Sequence, residues 1–139
     1  MANAIYPLYK GKLMSACTNV SLTGSTTNGP WVALVDTGTY SYATGHDAYN
    51  DLSGIIGGID KNIASPTVVG RKFDGCNVTW TAVTTPTSIE ALVIYRKNTG
   101  ANTTWWLVLY ENSGVTGLPV TPNGGDISVS WNASGIFDL

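Results

Sequence analysis

The chain has 139 residues, enough for one domain around a single hydrophobic core. Only 12% of the residues are charged, against about a quarter in an average soluble domain, and Gly, Thr, Ser and Asn fill the gap. A net charge of −2 and a pI of about 5.0 argue against a nucleic-acid partner, and no run of about twenty apolar residues is present to cross a membrane.

The N-terminal stretch MANAIYPLYKGKLMSA is interrupted by Tyr, Pro and two Lys, so it does not read as a signal peptide. Synthesis and folding in a reducing cytoplasm are expected. Cys17 and Cys76 are then expected as two buried thiols rather than a disulfide. Without export, the glycosylation patterns at Asn19, Asn77, Asn102 and Asn132 carry no meaning. Ala4 to Ser15 reads as a short amphipathic helix with Pro7 in its first turn and Gly11 weakening it. Thr18 to Leu22 is a candidate short strand, and Gly24 to Pro30 a loop. Trp31 to Asp36 is a strand too continuously apolar to face water. Thr37 to Ala43 is a loop or edge strand. Gly45-His46-Asp47 opens a helical turn through Asp51 or Leu52, capped by Thr44 or Asp47.

Ser53 to Lys61 is punctuated by Gly54, Gly57 and Gly58. Thr67 to Val69 reads as a strand, and Phe73-Asp74-Gly75 as a turn. Cys76 to Val83 alternates, with Val78, Trp80 and Ala82 inward. Asp126 to Trp131 does the same with Ile127, Val129 and Trp131, and Ile136 to Leu139 is a last short strand. Seven or eight short strands with frequent turns predict an all-β fold. The expected form is an antiparallel β-sandwich or jelly-roll-like domain over 1–139, with a short N-terminal helix and one further helical turn. Trp31, Val35, Val78, Trp80, Val93, Leu107, Ile127 and Val129 are the candidate core.

The stretch Ile89 to Glu111 is the centre of the pattern. It reads as a β-hairpin with arms Ile89–Lys97 and Thr104–Glu111 around the connector Asn98–Thr103. A symmetric loop sets Tyr95 opposite Trp106, Val93 opposite Val108, Ala91 opposite Tyr110 and Glu90 opposite Glu111. Both faces are apolar in the middle. Either the rest of the chain covers both, or another subunit covers one.

Little in the sequence carries catalytic chemistry. His46 is the only histidine, and its context is that of a surface or capping residue. One His and two distant Cys do not make a zinc site, and no calcium or phosphate loop is present. No cofactor and no metal site is expected. Glu90 and Glu111, about 5 Å apart if directly opposed, have the separation of a retaining glycosidase pair. Like charges facing each other destabilise a sheet, however, and a solvated rim or a partner's Arg or Lys suits them better. Trp105 and Trp106 point to opposite faces. They read as core, as a protein-interface anchor or as a sugar-stacking platform, with Arg96 placed to form a cation–π contact with Trp105.

Four segments taken together carry a likeness: MANAIYPLYKGKLMSA, VALVDTGTYSYATGHDAYNDL, ALVIY, and TGLPVTPNGGDISVSW with a terminal IF-x-L. The chain resembles a family of short virion structural proteins of tailed bacteriophages, over nearly its whole length from Ala2 to Leu139. The resemblance carries no catalytic residue. It implies a non-enzymatic particle component, present in the virion after synthesis in the host cytoplasm. The expected role is that of a homo-oligomeric capsid cement or decoration protein, clamping neighbouring subunits of the major capsid protein lattice. A tail or host-contact component with a carbohydrate-facing aromatic surface is the alternative. The loop NTGANTTWW departs from the family, whose members tend to be more charged there. That favours an interface in this hairpin, with Trp105, Trp106, Arg96, Glu90 and Glu111 as candidate contacts.

Overall fold

Six consecutive apolar-rich residues, Ala91–Arg96, form a strand in which every side chain is buried, and the sheet is built outward from it. The structure is a computed structural model that describes residues 3–56 and 59–139. Gly57 and Gly58 of the glycine-punctuated connector lie outside the described residues. In chain order the strands are β1 (Ala4–Ile5), β2 (Pro30–Val35), β3 (Lys61–Asn62), β4 (Thr67–Val69), β5 (Lys72–Asp74), β6 (Val78–Trp80), β7 (Ala91–Arg96), β8 (Trp106–Glu111), β9 (Ile127–Val129) and β10 (Phe137–Asp138). Among the described residues one helix, α1 (Pro7–Met14), and two 3₁₀ turns at Tyr49–Asp51 and Asn102–Thr104 accompany the strands. It is all-β and antiparallel, with a short N-terminal helix, as the sequence predicts.

The strands form three sheets, ordered β1-β8-β7-β2-β3, β10-β5-β4 and β6-β9. One hydrophobic cluster joins them, drawing Leu34 and Val93 from the first, Phe73 from the second, and Trp80 and Val129 from the third. The continuous apolar run of β2 is explained by its place beside β7. Val32, Ala33, Leu34 and Val35 are each 0% exposed, so neither face of the strand meets water. The alternating strands β6 and β9 bury Val78, Trp80, Ile127 and Val129 and turn Thr79 and Ser128 outward.

The expectations fail where distant chain segments intervene. The helix begins at Pro7, because residues 4–5 are drawn into β1 against Tyr110 and Leu109 of β8. Tyr6 stays extended ahead of the proline, and its N–H donates to Val108 O at 3.0 Å. Residues 18–22 lie outside the strands. Trp31 is half-buried rather than core: its Nε1 donates to Thr26 O at 2.8 Å, and Lys97 Nζ sits 4.1 Å from its ring. Cys17 and Cys76 are free, but Cys76 is exposed and Cys17 only partly covered. The turn at Tyr49–Asp51 is not capped by Thr44 or Asp47. Asp51 Oδ2 accepts from the Asp47 and Ala48 N–H groups instead. His46 takes no part in that cap, and its Nδ1 meets the Tyr40 hydroxyl at 2.9 Å.

The hairpin register differs from the symmetric one. Val93 pairs with Tyr110, Leu92 with Glu111, Tyr95 with Leu107 and Arg96 with Trp106, with a bulge after Ile94. The cause lies in the connector. Asn98 is buried, its Nδ2 donates to Thr104 O at 2.7 Å, and its Oδ1 accepts from Gly100 N and Thr104 Oγ1. That bracket holds the 3₁₀ turn and makes the loop asymmetric, so β8 carries one extra residue, Val108. Glu90 and Glu111 are thereby no longer opposite one another. Both faces of β7 and the interior of β8 are covered by this chain alone.

Two stability outcomes follow. Leu107 is 0% exposed beside Tyr95, so Leu107→Ala is expected to cost about 2–5 kcal/mol in chemical denaturation. Helix α1 ends with Ala16 N–H on Leu13 O and Cys17 N–H on Lys12 O, with Ala16 at φ 51° where glycine is usual. Ala16→Gly is expected to raise stability by about 1 kcal/mol, and a drop on that substitution would contradict this geometry.

Candidate protein-contact surface

The five residues suggested by sequence are all placed by the hairpin, but they do not form one surface. Trp105 is half-buried; its ring stacks on Tyr95 (6.0 Å, 12°), meets Tyr49 edge-on and donates its Nε1–H to Gly100 O. Trp106 is half-buried too, with Nε1 donating to Thr18 O and Lys12 Nζ lying 4.0 Å over the ring. Arg96 is only 5% exposed. It does not touch Trp105 as a cation; Lys97 takes that position, 4.9 Å from the ring. The Arg96 guanidinium instead donates to Ser21 O and Lys97 O, and burial pulls its pKa below the usual value. These three side chains are committed to partners within the chain.

The two glutamates have opposite environments. Glu90 accepts from Ser88 Oγ at 2.6 Å and from Thr37 N at 2.9 Å, and those bonds hold its carboxyl below the ordinary range. Glu111 lines a cleft of about 500 Å³ with Asn3, Lys72, Trp131 and Asp138, and burial pushes its carboxyl up to about 7.

Exposed large apolar side chains lie elsewhere, at Leu8 and Met14 of α1 and, as a group of three, on the small sheet. Among the described residues β4 pairs on one side only, with β5, and Thr67, Val68 and Val69 are all exposed. Val69 is 76% exposed and Val68 48%, and Leu139 beside them is 47% exposed. Val68 and Leu139 border a groove of about 330 Å³ whose walls are Tyr9 and Leu13 of α1, Leu22, Phe73 and Phe137. An uncharged, valine-rich open strand edge beside an apolar groove is a template for pairing with another chain. Sequence reasoning finds the strand but not its exposure. The available signal was its position between Pro66 and Gly70-Arg71, which leaves too few residues for a central strand.

The Glu111 assignment has a pH signature. A carboxyl whose folded pKa is raised contributes stability below its unfolded pKa, and that contribution is lost as pH rises through the folded value, here about 7. Glu111→Gln keeps the side chain neutral at every pH. It is expected to match wild type near pH 4 and to exceed it by about 1–3 kcal/mol near pH 8, after allowance for solvent on the open side. Denaturant unfolding of both proteins across that range checks this; parallel curves would place Glu111 in bulk water.

Comparison of the chain with protein-family models, with curated proteins and with solved structures gave no match.

Proposed function

We propose that this protein is a structural component of a bacteriophage virion, a capsid cement or decoration protein that attaches to the major capsid protein lattice and clamps neighbouring subunits. The observation that carries the reading is the exposed strand edge β4, with Val68 and Val69 beside the apolar groove. Such a surface gains stability when an extended segment of a neighbouring chain covers it. Backbone groups of β4 pair, and valine and leucine side chains leave water. The low charge of the chain, 12% of residues, supports lasting protein contact over transient encounter. The whole-chain resemblance to short phage virion proteins points the same way. The contact is placed on the small sheet rather than on the hairpin, because the hairpin's apolar faces are already covered.

Attachment that exists only on the assembled shell stabilises that shell by mass action. The chain therefore needs no chemistry of its own to act. Shells lacking the protein, mixed with wild type and with Val69→Glu, test the reading. Val69 is 76% exposed, so the charge is expected to leave folding within about 0.5 kcal/mol of wild type. Bound copies are expected to fall, with attachment weakened by about 2 kcal/mol or more if the strand edge is the centre of the contact. Full attachment of Val69→Glu would move the contact off β4. Wild-type protein that ignores shells but binds tails, in competition with host glycans, would replace the cement reading with a host-contact one.

A further inference from the structure

The cleft that holds Glu111 lies next to the small sheet, between β8, β5, β10 and the turn that precedes β10. Resting on the lattice-binding reading above, we infer that this cleft is a socket for an arginine side chain of the bound partner, with the Glu111 carboxylate as its counter-ion and the Trp131 indole as a wall.

The argument starts from what Glu111 lacks. Its backbone is fixed at the end of β8 opposite Leu92. Its side chain is half-buried in the cleft wall, and among the described residues its carboxylate accepts no side-chain hydrogen bond and joins no ion pair; the pairs present are Lys12–Asp47 and Arg71–Asp138. Its oxygens keep contact with water, but in a cleft that withdraws much of that water a donor reaching them is favoured. Among the described residues Lys72 on β5 is the one cation in the lining. Its stem is packed along Gly135, where an added Cβ would meet Lys72 Cγ at 2.7 Å, and its ammonium lies beyond ion-pair distance of Glu111. The other charged group in the lining, Asp138 on β10, is taken by Arg71 at 3.3 Å. Among the described residues the cleft thus presents a carboxylate with no cation paired to it.

The remaining walls select the kind of cation. Trp131 is half-buried, and its Nε1–H is already donated to Cys76 O at 2.8 Å, so what it offers a ligand is ring surface. A guanidinium is planar, stacks on an indole and reaches a carboxylate with two parallel N–H donors; an ammonium does neither as well. The volume, about 500 Å³, admits a long side chain. Its position supplies the link to the lattice contact, because Phe137 lines both this cleft and the apolar groove. The two lie on opposite faces of the small sheet, the cleft on the face of Lys72 and Asp138 and the groove on that of Arg71, Phe73 and Leu139, so a partner reaches both by wrapping around the β10 side of the sheet. In the free protein, burial raises the Glu111 carboxyl to about 7, so part of the population is neutral near neutral pH. The incoming guanidinium favours the ionised form, and binding releases that proton.

The first experiment needs no particle. The Glu111 side-chain carboxyl is followed by carbon NMR through a pH titration. One titration contains N-acetyl-arginine methylamide and the other sodium chloride at equal ionic strength. The midpoint is expected to fall clearly with the arginine probe and to stay put with salt. Coincident curves overturn the socket. The second experiment measures attachment to shells. Wild-type attachment is expected to strengthen by about tenfold between about pH 6 and about pH 8, and Glu111→Gln to bind more weakly with no such rise. Wild-type attachment that is flat with pH and unchanged in Glu111→Gln overturns the socket; if Val69→Glu still loses attachment, the lattice reading stands without it. An arginine-dependent midpoint shift in a protein that ignores shells supports the socket and removes the lattice as its partner.

Discussion

The structure depends on one constraint: β7 is buried on both faces. Antiparallel strands commonly keep one face in water and read as an alternation of apolar and polar residues. β7 instead has β8 on one edge and β2 on the other, with all six of its side chains buried. The rest of the chain must then cover both faces. Aromatic groups supply much of that cover, one set built from Tyr6, Tyr40, Tyr42 and Tyr110 and another from Tyr49, Tyr95 and Trp105. Four of their hydroxyls are satisfied internally: Tyr6 and Tyr40 share a hydrogen bond of 2.7 Å, and Tyr49 and Tyr95 both donate to Asp60 Oδ2. Loop segments 37–52 are in this way part of the wall of the core.

Spending the aromatic residues on the central sheet leaves the small sheet thinly covered. β10-β5-β4 contributes Phe73 to the shared core, but its outer strand presents two valines to water. The groove and the Glu111 cleft flank this sheet and meet at Phe137. Apolar surface on one side and an unmatched carboxylate on the other are complementary requirements. The first gives area and the second gives direction and register, because a charge pair is satisfied in few geometries whereas apolar contact is satisfied in many.

Elements whose cause is local were legible in the sequence. Continuous apolar runs marked β2 and β7 as doubly buried, and alternation set the inward faces of β6 and β9. Pro7 marked the true start of α1, although periodicity extended the helix back to Ala4. What could not be read depends on distant partners. Residues 4–5 are strand because β8 is there to pair with them, and Asn3 bonds to Ser113, 110 positions away. The hairpin register turned on one buried amide, Asn98, which the turn composition alone did not distinguish from Asn102. The contact surface was missed for a related reason. Trp105 and Trp106 looked like anchors because indoles often are, yet Lys97 and Lys12 lie over their rings and loop carbonyls take their N–H groups. Val68 and Val69 looked like ordinary strand residues, and only sheet order shows that no described strand lies beyond them.

The pairing of the first strand with the eighth sets a schedule on the growing chain. Ala4 and Ile5 find their partners only at Tyr110 and Leu109, and β2, reached on its outer edge by β3 at residues 61–62, is closed on its inner edge only at residues 91–96. During synthesis the N-terminal segment must therefore wait unpaired, and the apolar β2 must wait with its inner edge open, until most of the chain has been made. Closure of such long loops comes before the contacts that reward it, so acquisition of structure is expected to be late and concerted. For most of its time on the ribosome the chain carries an apolar strand with its inner edge open, and it depends on prompt completion rather than on stepwise growth.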